Sequence, residues 1–294
     1  MEAFTSGSDA ADRMIPDGPA PGTYFKSKIH LISSTREVWR ARVLVRTLAE
    51  RDIRVRYKQT VLGFAWAVLM PLILMVVFTV FVKRFAKVDA GNGDVPYAIF
   101  AYVGLIPWGF FSTTFSTGGL SLVTNTALLN KVYCPREVFP MASMGVATVD
   151  MAIGGVVLLL LFLVTMTPPY WQGLLWLGPE LFVMAAFSLG LTLLVAASVV
   201  YLRDIRQTIP LLLQFGLFAT PVAYSLNGIT GLKRDLYAFI NPLVATIDGL
   251  RQSLLFGEQV NLSTFVCGLA GAVTYLLVGY AVFKKLEPGI ADVA

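Results

Sequence analysis

Residues 127–140 read ALLNKVYCPREVFP, a short basic island in which Lys131 and Arg136 break apolar runs far longer than soluble core helices use. Reading outward, the runs Gln59–Val82, Val95–Asn130, Met151–Pro179, Leu181–Leu202, Gln207–Leu232 and Gln259–Phe283 contain no Asp, Glu, Lys or Arg. Each exceeds the roughly 20 residues a helix needs to cross a hydrocarbon layer of about 30 Å. With 56% hydrophobic and 14% charged residues among 294, the chain reads as an all-α integral membrane protein with six spans. The island is then the stretch where this membrane protein meets a soluble partner.

The expected spans lie at about 61–82, 97–118, 141–166, 178–202, 208–226 and 263–283. Residues 1–43 form an N-terminal cytoplasmic tail. Its first part is too rich in Gly, Pro, Ala, Ser and Asp to bury a core, so it is expected to be disordered. Residues 44–285 are the membrane domain and 286–294 a short cytoplasmic tail. No short apolar stretch with a small-residue cleavage site opens the sequence, so no signal peptide is expected.

Leu44–Lys58, LVRTLAERDIRVRYK, has the pattern of an amphipathic helix. At 100° per residue Leu44, Val45, Leu48 and Val55 share one arc, and Arg46, Glu50, Arg51, Arg54 and Lys58 the opposite one. A basic amphipathic helix just before a span lies in the headgroup layer. Pro168-Pro169 marks a tight turn after the third span. Asn227–Asn261 is more than a loop, because Tyr237, Phe239, Leu243, Ile247, Leu250 and Leu254 would build short half-buried helices around Asn241-Pro242.

Lys and Arg near the span ends set the orientation. Arg46, Arg51, Arg54, Arg56, Lys58, Lys131, Arg136, Arg203, Arg206, Lys284 and Lys285 fall on one side. They outnumber Lys83, Arg84, Lys87, Lys233, Arg234 and Arg251 on the other. Both termini are therefore expected in the cytoplasm.

Several chemistries are disfavoured. The net charge of +5 sits at membrane edges, so no nucleic acid is expected as a partner. Cys134 and Cys267 make no disulfide framework, and one histidine, His30, argues against a metal site or a Ser-His-Asp triad. No GxxxxGK[ST] occurs, so a phosphate-cradling loop would have to come from a second polypeptide. The expectation is no catalytic site, no metal and no cofactor on this chain.

Asp150 is the most isolated charge, about 15 Å into the third span at 1.5 Å per residue. A buried carboxylate there needs a partner or a proton, and a structural intramembrane pairing is expected. Glu180, near the outer end of the fourth span, would reach the interface. Arg51, Arg54, Arg56 and Lys58 suit a phosphate or pyrophosphate headgroup, since guanidinium forks match those oxygens. Generic attraction to anionic lipid is the alternative. The rings Tyr97, Phe100, Tyr102, Trp108, Phe111 and Phe115 of the second span, with Phe215, Phe218 and Tyr224, are candidates to stack on sugars along a path. Lipid anchoring and packing compete for the same residues.

Four segments together resemble one family: RDIRVRYKQTVLGFAWAVLMPL (Arg51–Leu72), LLNKVYCPREVFP (Leu128–Pro140), YLRDIRQTIPLLLQ (Tyr201–Gln214) and INPLVATIDGLRQSLLFG (Ile240–Gly257). In that order and spacing they are similar to the permease subunit of type-2 ABC exporters for cell-surface polysaccharides. The resemblance runs from about Val43 to Lys285. It implies a homodimer of six-span subunits in a bacterial inner membrane, with two copies of an ABC nucleotide-binding subunit that carries ATP and Mg. The cargo it implies is an undecaprenyl-type lipid-linked polysaccharide such as O-antigen. Teichoic acid, capsule or a small lipid or drug are same-family alternatives.

The resemblance also implies a cytoplasmic coupling helix at about Asn125–Pro135. There Leu128, Leu129, Asn130, Lys131, Val132, Tyr133 and Pro135 would meet the ATPase subunit. It places Arg51–Lys58 near the lipid pyrophosphate at a lateral gate, and short re-entrant helices around Asn241-Pro242 at the exit. Two rivals come from other classes. An integral-membrane glycosyl- or acyltransferase needs a carboxylate or histidine cluster at one membrane face, and a secondary transporter needs more intramembrane ionisable groups than Asp150 offers.

Overall fold

Tyr97–Gly119 carries no charge and is mostly apolar, its Ser and Thr residues confined to the second half. A helix of that kind belongs in the middle of its neighbours. The computed structural model, which describes residues 41–58, 65–81, 95–129, 134–226 and 228–293, has it there. In chain order the elements are α1 (Arg42–Lys58), α2 (Ala65–Phe81), α3 (Tyr97–Gly119), α4 (Ser121–Thr124), α5 (Thr126–Leu129) and α6 (Val138–Thr165). They continue with α7 (Gln172–Tyr201), α8 (Ile205–Ala219), α9 (Leu232–Ile240), α10 (Leu243–Leu250), a π-helical turn (Arg251–Leu255) and α11 (Leu262–Val293). Among the described residues no strand occurs.

The central α3 packs on α6, α7 and α2, while α11 lies along α7. That last contact is close: a Cβ at Gly279 of α11 would overlap the Gly190 carbonyl of α7. Small residues at a crossing let two membrane helices approach on dispersion forces, which is how they associate where lipid removes the hydrophobic drive. The α1 helix rests on α6, α9 on α11, and α10 on α7 and α11. By contrast α8 packs sparsely, mainly on α3 and α7, and Ile209 is its one buried residue among those described.

Val156, Leu159, Leu160, Leu163 and Val164 of α6, Met70, Ile73, Val76 and Val77 of α2, and Leu277 and Val278 of α11 face outward. An apolar surface of that size is stable against hydrocarbon. Four described helices are long and apolar enough to cross a membrane: Tyr97–Gly119, Val138–Thr165, Gly173–Tyr201 and Leu262–Gly289. The other two expected spans are shorter within the described residues, 17 residues for α2 and 15 for α8. Residues 1–40, 59–64 and 82–94, which held the tail and the ends of the first expected span, lie outside the described residues.

Three boundaries differ from the sequence expectation. The fifth expected span stops being helical at Ala219, not 226, because Thr220 precedes Pro221 and is extended. The last helix does not end at Lys284-Lys285 but continues to Val293. Lys284 is held by Glu137 and Glu287, so its charge is met inside the packing and no helix end is required. The helix of the fourth expected span, α7, begins at Gln172, not 178, because nothing from Gly173 to Leu177 interrupts its apolar pattern.

Candidate functional site

Asp150 is where α1 meets the bundle. Its carboxylate pairs with Arg56 Nη2 at 3.2 Å and accepts a hydrogen bond from the Tyr57 hydroxyl. Both donors come from the last turn of α1. Burial is the main cause that pushes the Tyr57 phenol above its ordinary range, and the Asp150 bond adds to it. This carboxylate therefore docks a basic helix flat against α6.

The remaining α1 charges are largely met within the helix. Glu50 takes Arg46 at 2.8 Å and Arg54 at 3.6 Å. That pairing lowers its pKa, with the Arg46 hydrogen bond the leading cause. Arg51 donates to Asp52 at 2.8 Å and also to Asn125 Oδ1 at 2.7 Å. The second bond ties α1 to the joint between α4 and α5. Lys58 is exposed at the end of the helix.

Two hollows open beside this contact. One of about 420 Å³ is lined by Arg56, Tyr57, Trp66, Met70, Trp108 and Asp150. The other, about 450 Å³, is lined by Asp52, Arg56, Thr113, Ser116, Asn125 and Ser143. Arg56 and Thr113 border both. Along this side of α3 the Ser112, Ser116 and Thr117 hydroxyls donate to carbonyls of the preceding turn at 3.1, 2.7 and 2.6 Å. Their protons are used, so what they present to the hollows is acceptor lone pairs.

The aromatic candidates divide. Tyr97, Phe100, Tyr102, Phe111 and Phe115 are buried within the chain, and Trp108 is buried but borders the first hollow. Phe111 stacks on Phe115 and Phe187 with ring centroids 5.5 and 5.3 Å apart. These rings are core packing, which corrects the reading of them as a ring-lined path. An uncharged, mostly apolar central helix buries its rings on every side. Phe215 and Phe218 of α8, at 66% and 67% exposure, and Tyr224 remain accessible.

Leu128 and Leu129 of α5 lean on an apolar cluster that contains Leu48, Leu122, Val138 and Phe283. Pro135 is half-buried just before α6. Asn130, Lys131, Val132 and Tyr133 lie outside the described residues.

At the opposite end, α9, α10 and the π turn fold back around Asn241-Pro242. Glu180 does not reach an interface there. It is fully buried against Gly249 of α10, where a Cβ would collide with its carboxylate, and neither carboxylate oxygen has a hydrogen-bond partner among the described residues. Its neighbour Asp248 is paired with Arg234 and accepts from Gln252 at 2.9 Å.

Arg251, counted from sequence among the charges on the outer side, is also buried. Its guanidinium donates to the carbonyls of Phe100 (3.0 and 3.2 Å), Pro221 (2.6 Å), Val222 (2.6 Å) and Tyr224 (3.1 Å), and lies 3.6 Å from the centroid of the Phe100 ring. No clear sequence signal points to it, because Arg251 is followed by Gln252 and Ser253 and lies three residues after Asp248.

An all-helical bundle with four membrane-length apolar helices and an outward apolar belt is a multi-pass membrane protein. The chain belongs to the ABC-2 type transporter family, whose family model matches residues 43–255. That membership makes it a transport subunit rather than an enzyme. It is 30% identical over 264 residues to the "O-antigen export system permease protein RfbA" of Myxococcus xanthus, covering 89% of this chain and 99% of the relative. A Klebsiella pneumoniae protein of the same description is 24% identical over 257 residues, 85% of this chain and 94% of its own length. The "Polysialic acid transport protein KpsM" of Escherichia coli is 24% identical over 262 residues, 84% and 94% of the two chains.

Proposed function

We propose that this chain is the membrane channel subunit of an ATP-driven exporter that moves a lipid-linked, O-antigen-like polysaccharide out of the cytoplasm across a bacterial inner membrane. The observation that carries the reading is the near end-to-end match to the Myxococcus xanthus permease. The Escherichia coli relative favours capsule-type polymer as the second cargo.

In this reading α2, α3, α6, α7, α8 and α11 are the six spans, both termini are cytoplasmic, and two copies form a homodimer. Two nucleotide-binding subunits bring ATP and Mg. They grip residues 125–135 through Leu128, Leu129, Asn130, Lys131, Val132, Tyr133 and Pro135. Supporting this, the chain has no phosphate-binding loop of its own and its basic island sits between two membrane helices.

The α1 helix lies at the inner interface, and Arg51, Arg54, Arg56 and Lys58 receive the carrier pyrophosphate. The chemistry is direct: Arg56 is already held by Asp150, so an entering pyrophosphate competes with that carboxylate and loosens α1 from α6. Phe215, Phe218 and Tyr224 are the rings left to stack on sugar, with α9 and α10 as the exit closure.

The test is to co-purify the full chain with its nucleotide-binding subunit and reconstitute both in vesicles. Hydrolysis stimulated by lipid-linked polysaccharide, with polymer delivered across the bilayer, is the expected result. Stimulation by a small lipid alone would replace the cargo assignment, and a solitary chain without hydrolysis would overturn the reading.

A further inference from the structure

Where the chain re-enters the described residues after Tyr133, it is fastened sideways to the end of the last helix. Arg136 donates to the Glu287 carbonyl, and Glu137 forms an ion pair with Lys284 while only 1% exposed. Lys284 Nζ also reaches Glu287 Oε2 at 2.8 Å, and the Tyr201 hydroxyl donates to the Leu286 carbonyl at 2.7 Å. A buried ion pair adds little net stability compared with apolar packing, yet breaking one partner is costly. What it supplies is a connection that cannot slip.

The other end of the same helix is fastened to the exit side. Thr264 Oγ1 donates to Asp235 of α9 at 3.0 Å, and the Tyr275 hydroxyl donates to the Ile240 carbonyl at 2.9 Å. A Cβ at Gly268 or Gly271 would run into Ala245 of α10 or the Phe239 backbone of α9, so there is no slack between them. Between Thr264 and Lys284 the helix is unbroken and spans about 30 Å at 1.5 Å per residue.

We infer that Glu137, Lys284 and Glu287 form a clamp that makes α11 follow residues 134–138, so that a displacement imposed there is delivered to α9 and α10 at the opposite end. The inference rests on the transport reading, in which the nucleotide-binding subunit grips residues 125–135. Glu137 and Lys284 are positioning residues: they touch neither cargo nor nucleotide. Rigid-body transfer suits a packed helix, because cores switch between discrete packings instead of deforming smoothly.

The experiment uses the full chain with its nucleotide-binding subunit in vesicles, with Cys134 and Cys267 replaced by Ser and one reporter cysteine at exposed Lys233 of α9. Alkylation by a membrane-impermeant maleimide is timed without nucleotide and with ATP plus vanadate. In the otherwise unaltered chain the rate is expected to change at least about fivefold, a coupling of ordinary allosteric size. Lys284→Met should abolish that change while ATP hydrolysis persists, and the charge-conserving Lys284→Arg should keep it.

A Lys284→Met protein that keeps the nucleotide-dependent change overturns the clamp alone. So does a Lys284→Met protein that loses hydrolysis and labelling change together, since that outcome marks a purely structural contact. No nucleotide response in the unaltered chain overturns the transport reading and the clamp with it.

Discussion

Arg251 shows why residue type matters at a buried position. Four carbonyls from separate parts of the chain converge on it, and only a guanidinium has enough forked donors to meet them. Replacing it with Met strands those acceptors, at a cost of roughly 3 kcal/mol or more. The expected outcome for Arg251→Met is a lowered midpoint in thermal unfolding in detergent, with Arg251→Lys intermediate. Glu180 predicts the opposite. Among the described residues its carboxylate oxygens have no well-formed hydrogen bond, so the near-isosteric Glu180→Gln should unfold within about 1 kcal/mol of the native chain. A large loss in that variant would mean a partner was missed. Neither residue was legible beforehand. Sequence shows where a charge lies along the chain, but which distant carbonyl or glycine covers it is decided by tertiary packing.

At the scale of elements, run length and composition made the all-helical character of the described residues legible, although the fifth expected span closes early at Ala219. The expected amphipathic helix at 44–58 is α1 at Arg42–Lys58, and the short helices around Asn241-Pro242 are α9 and α10. What failed was the assignment of faces. A mostly apolar element gives little moment, so Phe100 and Phe111 looked as available as Phe215, although only the last is exposed.

The docking of α1 makes a prediction of its own. Asp150→Ala removes the acceptor for Arg56 and Tyr57, so α1 should lift from α6. A cysteine at buried Ala49 should then react with maleimide several times faster than in the native background. An unchanged rate would show that apolar contacts alone hold the helix. For the 125–135 segment, Val132→Ala with Tyr133→Ala is expected to leave the protein in the membrane and ATP hydrolysis by the partner intact while polymer export falls. Normal export by that double variant would count against a coupling role.

For the whole molecule, the outward belt on α2, α6 and α11 and the sparsely packed α8 indicate which surfaces need a cover from lipid or a second copy. The α7–α11 crossing is the tightest joint that holds the bundle together. Gly279→Ala sets a methyl group against the Gly190 carbonyl and should cost about 2 kcal/mol as overpacking. The expected readout is a smaller folded fraction at a fixed denaturant concentration, and an unaffected variant would mean that the two helices can slide apart. Reporter fusions at each terminus test the orientation, with both expected to be active on the cytoplasmic side.

The pocket around Arg251 also orders events in time. Its acceptors at Phe100 and at Pro221, Val222 and Tyr224 leave the ribosome first, and the side chain that satisfies them is made only after both. A nascent chain that stops short of residue 251 holds the turn after α8 with the Pro221, Val222 and Tyr224 carbonyls without their guanidinium donor, a state that costs several kcal/mol in a low-dielectric layer. Biogenesis therefore has a late quality check built into its chemistry. Nascent chains released at residue 245 should be cleared by membrane proteases, and those released at 293 should survive.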